Sequence, residues 1–266
     1  MALTEIPKEL SSTPSIVDGG NATAITIDST ENVGVGIAPV PSNSVYNGGL
    51  LHVHQPSTTT THGSQIKLSN GVTGSAAGDG FLISKYGDKN TYLTNFDAGS
   101  DIIFNMTNDG GTVAERMRLN HDGIVTMPSQ PAFSAIPAST QSNIVPTTAL
   151  VNVAFGTEIF DVGANFASST FTAPVAGKYS LNVGVRLQVL DSAAESYQIR
   201  IVTSNRSYIW YMEPDYGQDA SLHTLGGSVV ADMDAADTAL VQVFQDQGTQ
   251  QTDIGTVSFF NGYLLG

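Results

Sequence analysis

From Phe133 to Gly266 the chain is a series of runs in which apolar and polar residues alternate: TTALVNVAF, EIFDV, SSTFTAP, GKYSLNVGVRLQVL, SYQIRIVTS, RSYIWYM, LHTLGGSVVADM, ALVQVFQDQ and TVSFFNGYLLG. Successive side chains of a strand point to opposite faces, so a period of two buries one face and leaves the other wet. Eight or more such strands at steady spacing, divided by turn residues, predict a β-sandwich or jelly roll. Helices are expected to be scarce. The 27 glycines and the excess of Ser, Thr, Val, Asn and Asp over charged residues (13%) fit strands and turns.

The first half is thinner. Ala24-Ile25-Thr26-Ile27-Asp28 alternates, Ser-Thr-Glu-Asn turns the chain, and Val33-Gly34-Val35-Gly36 returns it, which predicts a short hairpin. The same order recurs at Met117-Arg118-Leu119-Asn120, His-Asp-Gly and Ile124-Val125-Thr126-Met127, with Asn120 to Val125 spaced as Asp28 to Val33. Between these copies lie LLHVH, SQIKLS, GFLISKY, TYLTNF and DIIFNM, separated by Gly-, Asn-, Ser- and Thr-rich turns. Strands with so few large apolar residues bury little area, and at about 25 cal/mol per Å2 a lone copy is marginal. Other copies of the same chain are the expected cover. Pro128, Pro131 and Pro137 in MPSQPAFSAIPAST read as a linker or edge segment and set a boundary. Pro7, Pro14 and the Gly19-Gly20 turn mark off an extended N-terminal piece. The expected parts are residues 1–20, 21–128 and 129–266.

A net charge of −14 argues against a grip on nucleic-acid phosphates or anionic lipid, both of which need clustered Lys and Arg. No window reaches the roughly 18 to 20 apolar residues of a membrane span, so no insertion is expected, and MALTEIPKEL lacks the basic-then-apolar pattern of an export signal. With no cysteine, disulfides and thiol chemistry are excluded, and robustness has to come from burial and oligomerisation.

Five elements in order carry a resemblance: Ala132-Phe133-Ser134-Ala135; Phe160-Asp161-Val162 leading to Phe171-Thr-Ala-Pro174 and Gly177-Lys-Tyr179; Gly226-Gly-Ser-Val-Val230; Asp237 before Leu240-Val-Gln-Val243; and Ser258-Phe-Phe-Asn-Gly-Tyr-Leu-Leu265. Together they resemble the globular head of complement C1q and its tumour-necrosis-factor-like relatives. That resemblance implies a trimeric jelly roll whose last strand runs near the threefold axis. Phe259, Tyr263 and Leu265 would share one face of it, and Tyr179 would re-enter the core after a corner in which Gly177 permits the turn. Met1 to Pro7, Asn21 to Asp28 and Asn32 to Gly36 resemble the opening of bacteriophage tail fibres, marine ones especially, and Glu115 to Leu119 with Asp122-Gly123 resembles a unit that ends fibre shafts. The two resemblances imply an all-β fibre: residues 1–20 attach to tail or baseplate proteins of the virion, a slender trimeric β shaft follows, and a C1q-like jelly-roll head binds a host-surface glycan or protein. Such a chain is made in the host cytoplasm and ends in the virion tail. The rival readings are a capsid decoration or head fibre and, third, a glycan depolymerase.

His52 and His54 share a strand face, and three parallel chains would gather six imidazoles, as in fibres that bind iron. The favoured reading sends Leu51 and Val53 inward and both imidazoles to solvent, and no metal or other cofactor is assigned. Asp232, Asp234 and Asp237 offer oxygen ligands but lack the calcium-loop pattern, so a solvated turn is expected. Trp210, Tyr211, Asp215, Tyr216 and Asp219 concentrate the single tryptophan with aromatics and carboxylates, suited to sugars or protein epitopes, although strand alternation buries one of the aromatic neighbours. Ser192 to Glu195 is expected among the exposed connections. No nucleophile elbow, phosphate loop or zinc motif is present, and no reaction is expected.

Overall fold

The computed structural model describes residues 15–17, 23–27, 33–35, 51–55, 59–145, 149–249 and 251–266. Every regular element among them is a strand. They fall into two compact units. One holds the described residues up to Phe104 with Arg118–Val125, and the other holds Asn105–Met117 with Thr126–Gly266.

The first unit contains β1 (Ser15–Val17), β2 (Thr23–Ile27), β3 (Val33–Val35) and β4 (Leu51–Val53), paired in that order. The expected hairpin is β2–β3, with Ile25 opposite Val35 and Ile27 opposite Val33. Of the N-terminal piece, Ser15–Val17 pairs with β2, and the rest of the attachment segment lies outside the described residues. An antiparallel meander follows: β5 (Gly63–Leu68), β6 (Phe81–Tyr86) and β7 (Thr91–Asn95). Its rung Ile66–Ile83–Leu93 is exposed, and the only buried side chains among the unit's described residues are Leu82 and Ser84. The thin strands read in the sequence therefore leave this unit almost without a core.

β8 (Ile102–Thr107), β9 (Val113–Leu119) and β10 (Val125–Thr126) follow. The turn after β8 and the turn after β9 repeat one geometry. Asn108 N–H donates to Thr112 O and Gly111 N–H to Asn108 O; Asn120 N–H donates to Ile124 O and Gly123 N–H to Asn120 O, all between 2.9 and 3.0 Å. Gly111 and Gly123 hold the left-handed position, at φ of 78° and 82°. The β6–β7 turn is built the same way, with Lys89 N–H donating to Tyr86 O, but Lys89 occupies that position at φ 72°. A side chain there is strained and glycine is not. Lys89→Gly is expected to stabilise the meander by about 0.5 to 1 kcal/mol, read as a higher thermal midpoint. An unchanged or lower midpoint would show that the strain is not real.

The second unit is a sandwich. Its strands are β11 (Ala132–Ile136), β12 (Gln141–Val145), β13 (Val151–Asn152), β14 (Thr157–Val162), β15 (Phe166–Ala167), β16 (Thr170–Thr172), β17 (Gly177–Leu190), β18 (Ala194–Thr203), β19 (Ser207–Met212), β20 (Ala220–Met233), β21 (Thr238–Gln247), β22 (Thr252–Ile254) and β23 (Phe259–Leu264). The first sheet has the order β12-β22-β17-β23-β11-β14, with β20 on the other side of β17. The second has the order β15-β16-β21-β18-β19, with β13 also on β21. Buried residues alternate along the central strands: Tyr179, Leu181, Val183, Val185 and Leu187 from β17 meet Tyr197, Ile199 and Ile201 from β18 and Val241 and Val243 from β21. This is the jelly-roll sandwich that the alternation predicts.

Ala132–Ile136 departs from the linker reading of its proline-rich neighbourhood. It is β11, an interior strand paired with β14 on one side and β23 on the other. Phe133 explains why: its ring stacks on Phe166 at 4.9 Å and Phe171 at 4.6 Å and meets Phe260 edge-on at 5.0 Å. Pro131 and Pro137 only flank the strand, where a missing N–H is harmless.

The FTAPVAGKY segment carries the chain from β16 in the second sheet to β17 in the first. Ala173 bonds both ways with the β20–β21 turn (N–H to Asp237 O, carbonyl from Ala236 N–H, each 2.8 Å). Tyr179 is fully buried and its hydroxyl donates to Val175 O at 2.8 Å, closing the corner on itself. Gly177 acts through close approach rather than through a turn conformation, because a Cβ there would lie 2.7 Å from Leu264 Cδ1.

Candidate receptor-binding surface

The register of the first sheet fixes the two ends of the sandwich. Leu264 N–H donates to Pro131 O and Lys178 N–H to Gly266 O, so the chain enters and finishes beside the start of β17. β17 ends at Leu190, opposite Ala220. The Asp191–Ala193, Glu213–Asp219 and Gly248–Thr249 connections therefore cluster at the far end, about 45 Å along a 14-residue strand.

Two carboxylates tie these connections together. Asp191 is buried; its Oδ1 accepts from Ala193 N–H at 2.8 Å and its Oδ2 from Thr249 N–H at 2.6 Å. Gly248, at φ 81°, passes so close to Asp191 Oδ2 that a Cβ would lie 2.7 Å from it. Asp219 Oδ1 accepts from both the N–H and the hydroxyl of Ser192, at 2.9 and 2.8 Å. Beneath them the Tyr197 hydroxyl accepts from Asp191 N–H at 2.8 Å, while Thr252 Oγ1 donates to Gln245 Oε1 at 2.8 Å. Nothing in the sequence singles out Asp191, because its partner Thr249 is 58 residues away.

Burial pushes the phenol of Tyr197, and that of Tyr179, above the ordinary value of 10.0. Both stay protonated in the fold when the unfolded phenols ionise, so their stabilisation is complete below pH 10 and is lost as the pH rises through their folded values. The head is expected to lose thermal stability above about pH 10, with phenolate absorbance from these two tyrosines appearing only on unfolding. A flat midpoint from pH 8 to 11.5 would contradict this.

The aromatic and acidic candidates do not form one site. β19 alternates, so Tyr208, Trp210 and Met212 face the core side while Tyr211 points outward, 62% exposed. Trp210 lies flat on β20: a Cβ on Gly227 would meet its indole at 1.9 Å. It clasps the edges of the two sheets and has one face at most for a ligand. Asp215, Tyr216 and Asp219 stay together in the far-end loop. Tyr216 is held there by its hydroxyl, 3.0 Å from His223 Nδ1 and 3.1 Å from Met212 Sδ. Val189 completes the region, a β-branched residue at φ 58° lining a cleft of about 210 Å3 with Asp219, Ala220 and Ser221.

Phe259, Tyr263 and Leu265 lie on the outer face of the first sheet. They are 38, 46 and 49% exposed, while Phe260 and Leu264 turn to the core. Tyr263 is thus a surface aromatic of the chain and not a core residue; only Tyr179 of these four is buried. Of the acidic DMDAAD segment, Asp232 and Met233 end β20 and the rest is a turn in which Asp237 Oδ2 accepts from Asp234 N–H and Asn205 Nδ2. Lys178 pairs with Asp232 and holds its carboxyl below the usual range. At β4 the expected alternation is not kept: Leu51 is 59% exposed, while His52, Val53 and His54 are all half-buried, and His52 Nδ1 is inside with no bond among the described residues. Among the described residues no group of three or more His, Asp or Glu side chains is placed to hold a metal.

Solved structures similar to this chain include the globular domain of zebrafish complement 1qA protein, 18% identical, TM-score 0.38, covering 52% of this chain and 98% of its own. Murine APRIL is 10% identical, TM-score 0.39, with 51 and 99% covered. The PRD1 vertex protein P5 is 11% identical, TM-score 0.37, with 52 and 99% covered. No curated protein matches the chain. The C1q domain matches residues 132–265, half of the sequence and the whole of the sandwich from β11 to β23. With its interior β11, its FTAPVAGKY corner and its two antiparallel sheets, this chain belongs to the C1q domain family.

Proposed function

We propose that the chain is a homotrimeric bacteriophage tail fibre whose residues 1–20 join tail or baseplate proteins and whose C-terminal head binds a glycan or protein on the host surface. The observation that carries this reading is the polarity of the head. The chain enters at one end of the sandwich, and the braced loops 191–193, 213–219 and 248–249 stand at the other, where a tethered head meets a cell first. The strained Val189 belongs to the same end, and strain of that kind concentrates at functional positions. The N-terminal unit, with scarcely any buried side chain, supports a shaft completed by its copies. On the head, the outer face of the first sheet, with Val230, Phe259 and Tyr263, is the surface they would share. The far-end loops are polar and acidic, so each site binds weakly through hydrogen bonds and aromatic contact, and three per head add avidity. No reaction is proposed.

Alanine at Tyr211, Asp215 or Tyr216 is expected to lower adsorption to host cells several-fold while the unfolding free energy stays within about 0.5 kcal/mol of the parent. Normal adsorption by all three folded variants would place the receptor site elsewhere. Labelling the head in intact particles tests the location: signal at the tail supports the fibre, and signal over the capsid supports a decoration protein instead.

A further inference from the structure

Arg186 is a cation with no ion pair among the described residues. It sits on β17 between the fully buried Val185 and Leu187, so its side chain lies on the outer face of the first sheet. Its backbone is satisfied: the N–H donates to Ser258 Oγ at 2.9 Å and the carbonyl accepts from Gly255 N–H at 2.8 Å. The side chain is pressed against Gly255, where a Cβ would lie 3.0 Å from Nε. That Nε is buried and unbonded, and no hydrogen bond or ion pair reaches the guanidinium among the described residues. An orphaned, half-buried guanidinium is costly. Scarcity of acids is not the cause, because the chain has 24 Asp and Glu against 10 Lys and Arg.

The surroundings of Arg186 are those of an interface. Exposed Leu222, Val230 and Phe259 share its face, and the Phe259 ring lies so flat over Gly184 that a Cβ there would be 2.5 Å from it. At an edge of the same sheet, β14 exposes Glu158, Ile159 and Phe160 together. Glu158 has no bonding partner among the described residues. An edge strand showing two large apolar side chains needs cover. The two groups cannot meet within one chain. Glu158 lies on the rung of Ala135, Phe260 and Val183, three strands across from β17 and three residues short of Arg186, which is about 14 Å sideways and about 10 Å lengthwise.

We propose that the copies of the head associate edge to face, Glu158 of one copy pairing with Arg186 of the next while Ile159 and Phe160 cover the apolar residues around that arginine. The partner is a second copy of this chain. Two different patches, one on the face of the interior strand β17 and one on the edge strand β14, give a heterologous contact, the kind that closes a ring, and a carboxylate meets a guanidinium in the bidentate geometry that buried contacts favour. The inference rests on the reading of the head as a homotrimer and names the contact within it.

The test is a charge exchange in the full chain: Arg186→Glu, Glu158→Arg and the double variant, each diluted in sedimentation and light-scattering runs beside the parent. Each single change is expected to raise the dissociation constant of the assembly about tenfold or more, and the double variant to recover most of that loss. Glu158 is exposed in the single chain, so Glu158→Arg folds even if Arg186→Glu does not, and its own shift then decides. Singles that dissociate like the parent, or a double variant that recovers nothing, overturn the pairing while leaving the trimer intact. A parent that stays monomeric at every concentration overturns the trimer and the pairing together.

Discussion

Phe133→Ala is expected to cost the head about 3 to 5 kcal/mol, the range for deleting a large buried aromatic side chain. Phe133 is 1% exposed and touches three other rings, from β15, β16 and β23, so it joins both sheets at the point where the chain enters the domain. The cavity cannot collapse easily, because Phe166, Phe171 and Phe260 are each anchored on their own strands. The loss would consume much of the 5 to 15 kcal/mol that a domain usually has. Trp210 is the only tryptophan and belongs to the head, so its fluorescence follows the head alone in denaturant titrations of the full chain. A loss below about 1 kcal/mol would mean that the aromatic cluster is not the keystone described above. Tyr263→Ala is the contrast: the side chain is on the outer face, so its deletion is expected to act on assembly more than on the fold of one chain.

Gly227→Ala is expected to destabilise the head by about 1 to 3 kcal/mol, as overpacking does, and to shift the emission of Trp210 to the red. The added methyl would occupy the place of the indole, 1.9 Å from Cε2, and β20 cannot retreat because its Gly227 is paired with Val183. The indole has to leave, and water enters between β19 and β20. Trp210→Ala in the same background should recover part of the loss, since the clash disappears with the ring, although the clasp is gone as well. Unchanged emission and midpoint would show that Trp210 is free, and would return it to the candidate receptor surface.

Much of the architecture is legible in the order of the residues. Alternation in GKYSLNVGVRLQVL and ALVQVFQDQ makes β17 and β21 strands with one buried face wherever they are placed, because side-chain direction in a strand is a local property. Turn chemistry is equally local: Asn120 and Gly123 build their hairpin from contacts within five residues. The nearly coreless first unit is not legible in the same way: its strands carry Ile66, Leu68, Ile83 and Leu93, and the single chain leaves all four exposed.

Pairing between distant segments had to await the fold. Ala132–Ile136 has prolines on both sides and reads as an edge, yet Phe133 finds rings 33, 38 and 127 residues away and becomes interior. The same holds for the sites. Trp210 and Tyr211 are adjacent in sequence and opposed in space, and Trp210 is claimed by a glycine on another sheet. Asp191 looks like any turn aspartate until Thr249 and Gly248 close over it. Arg186 looks like any polar position of an amphipathic strand until the fold leaves its Nε buried without a bond, while Asp253, the acid on the neighbouring strand, accepts from the Asn143 N–H instead. Local order sets which way each side chain can point; only the tertiary structure decides what stands opposite, because the energy of a buried ring, carboxylate or guanidinium lies in partners that sequence separation does not reveal.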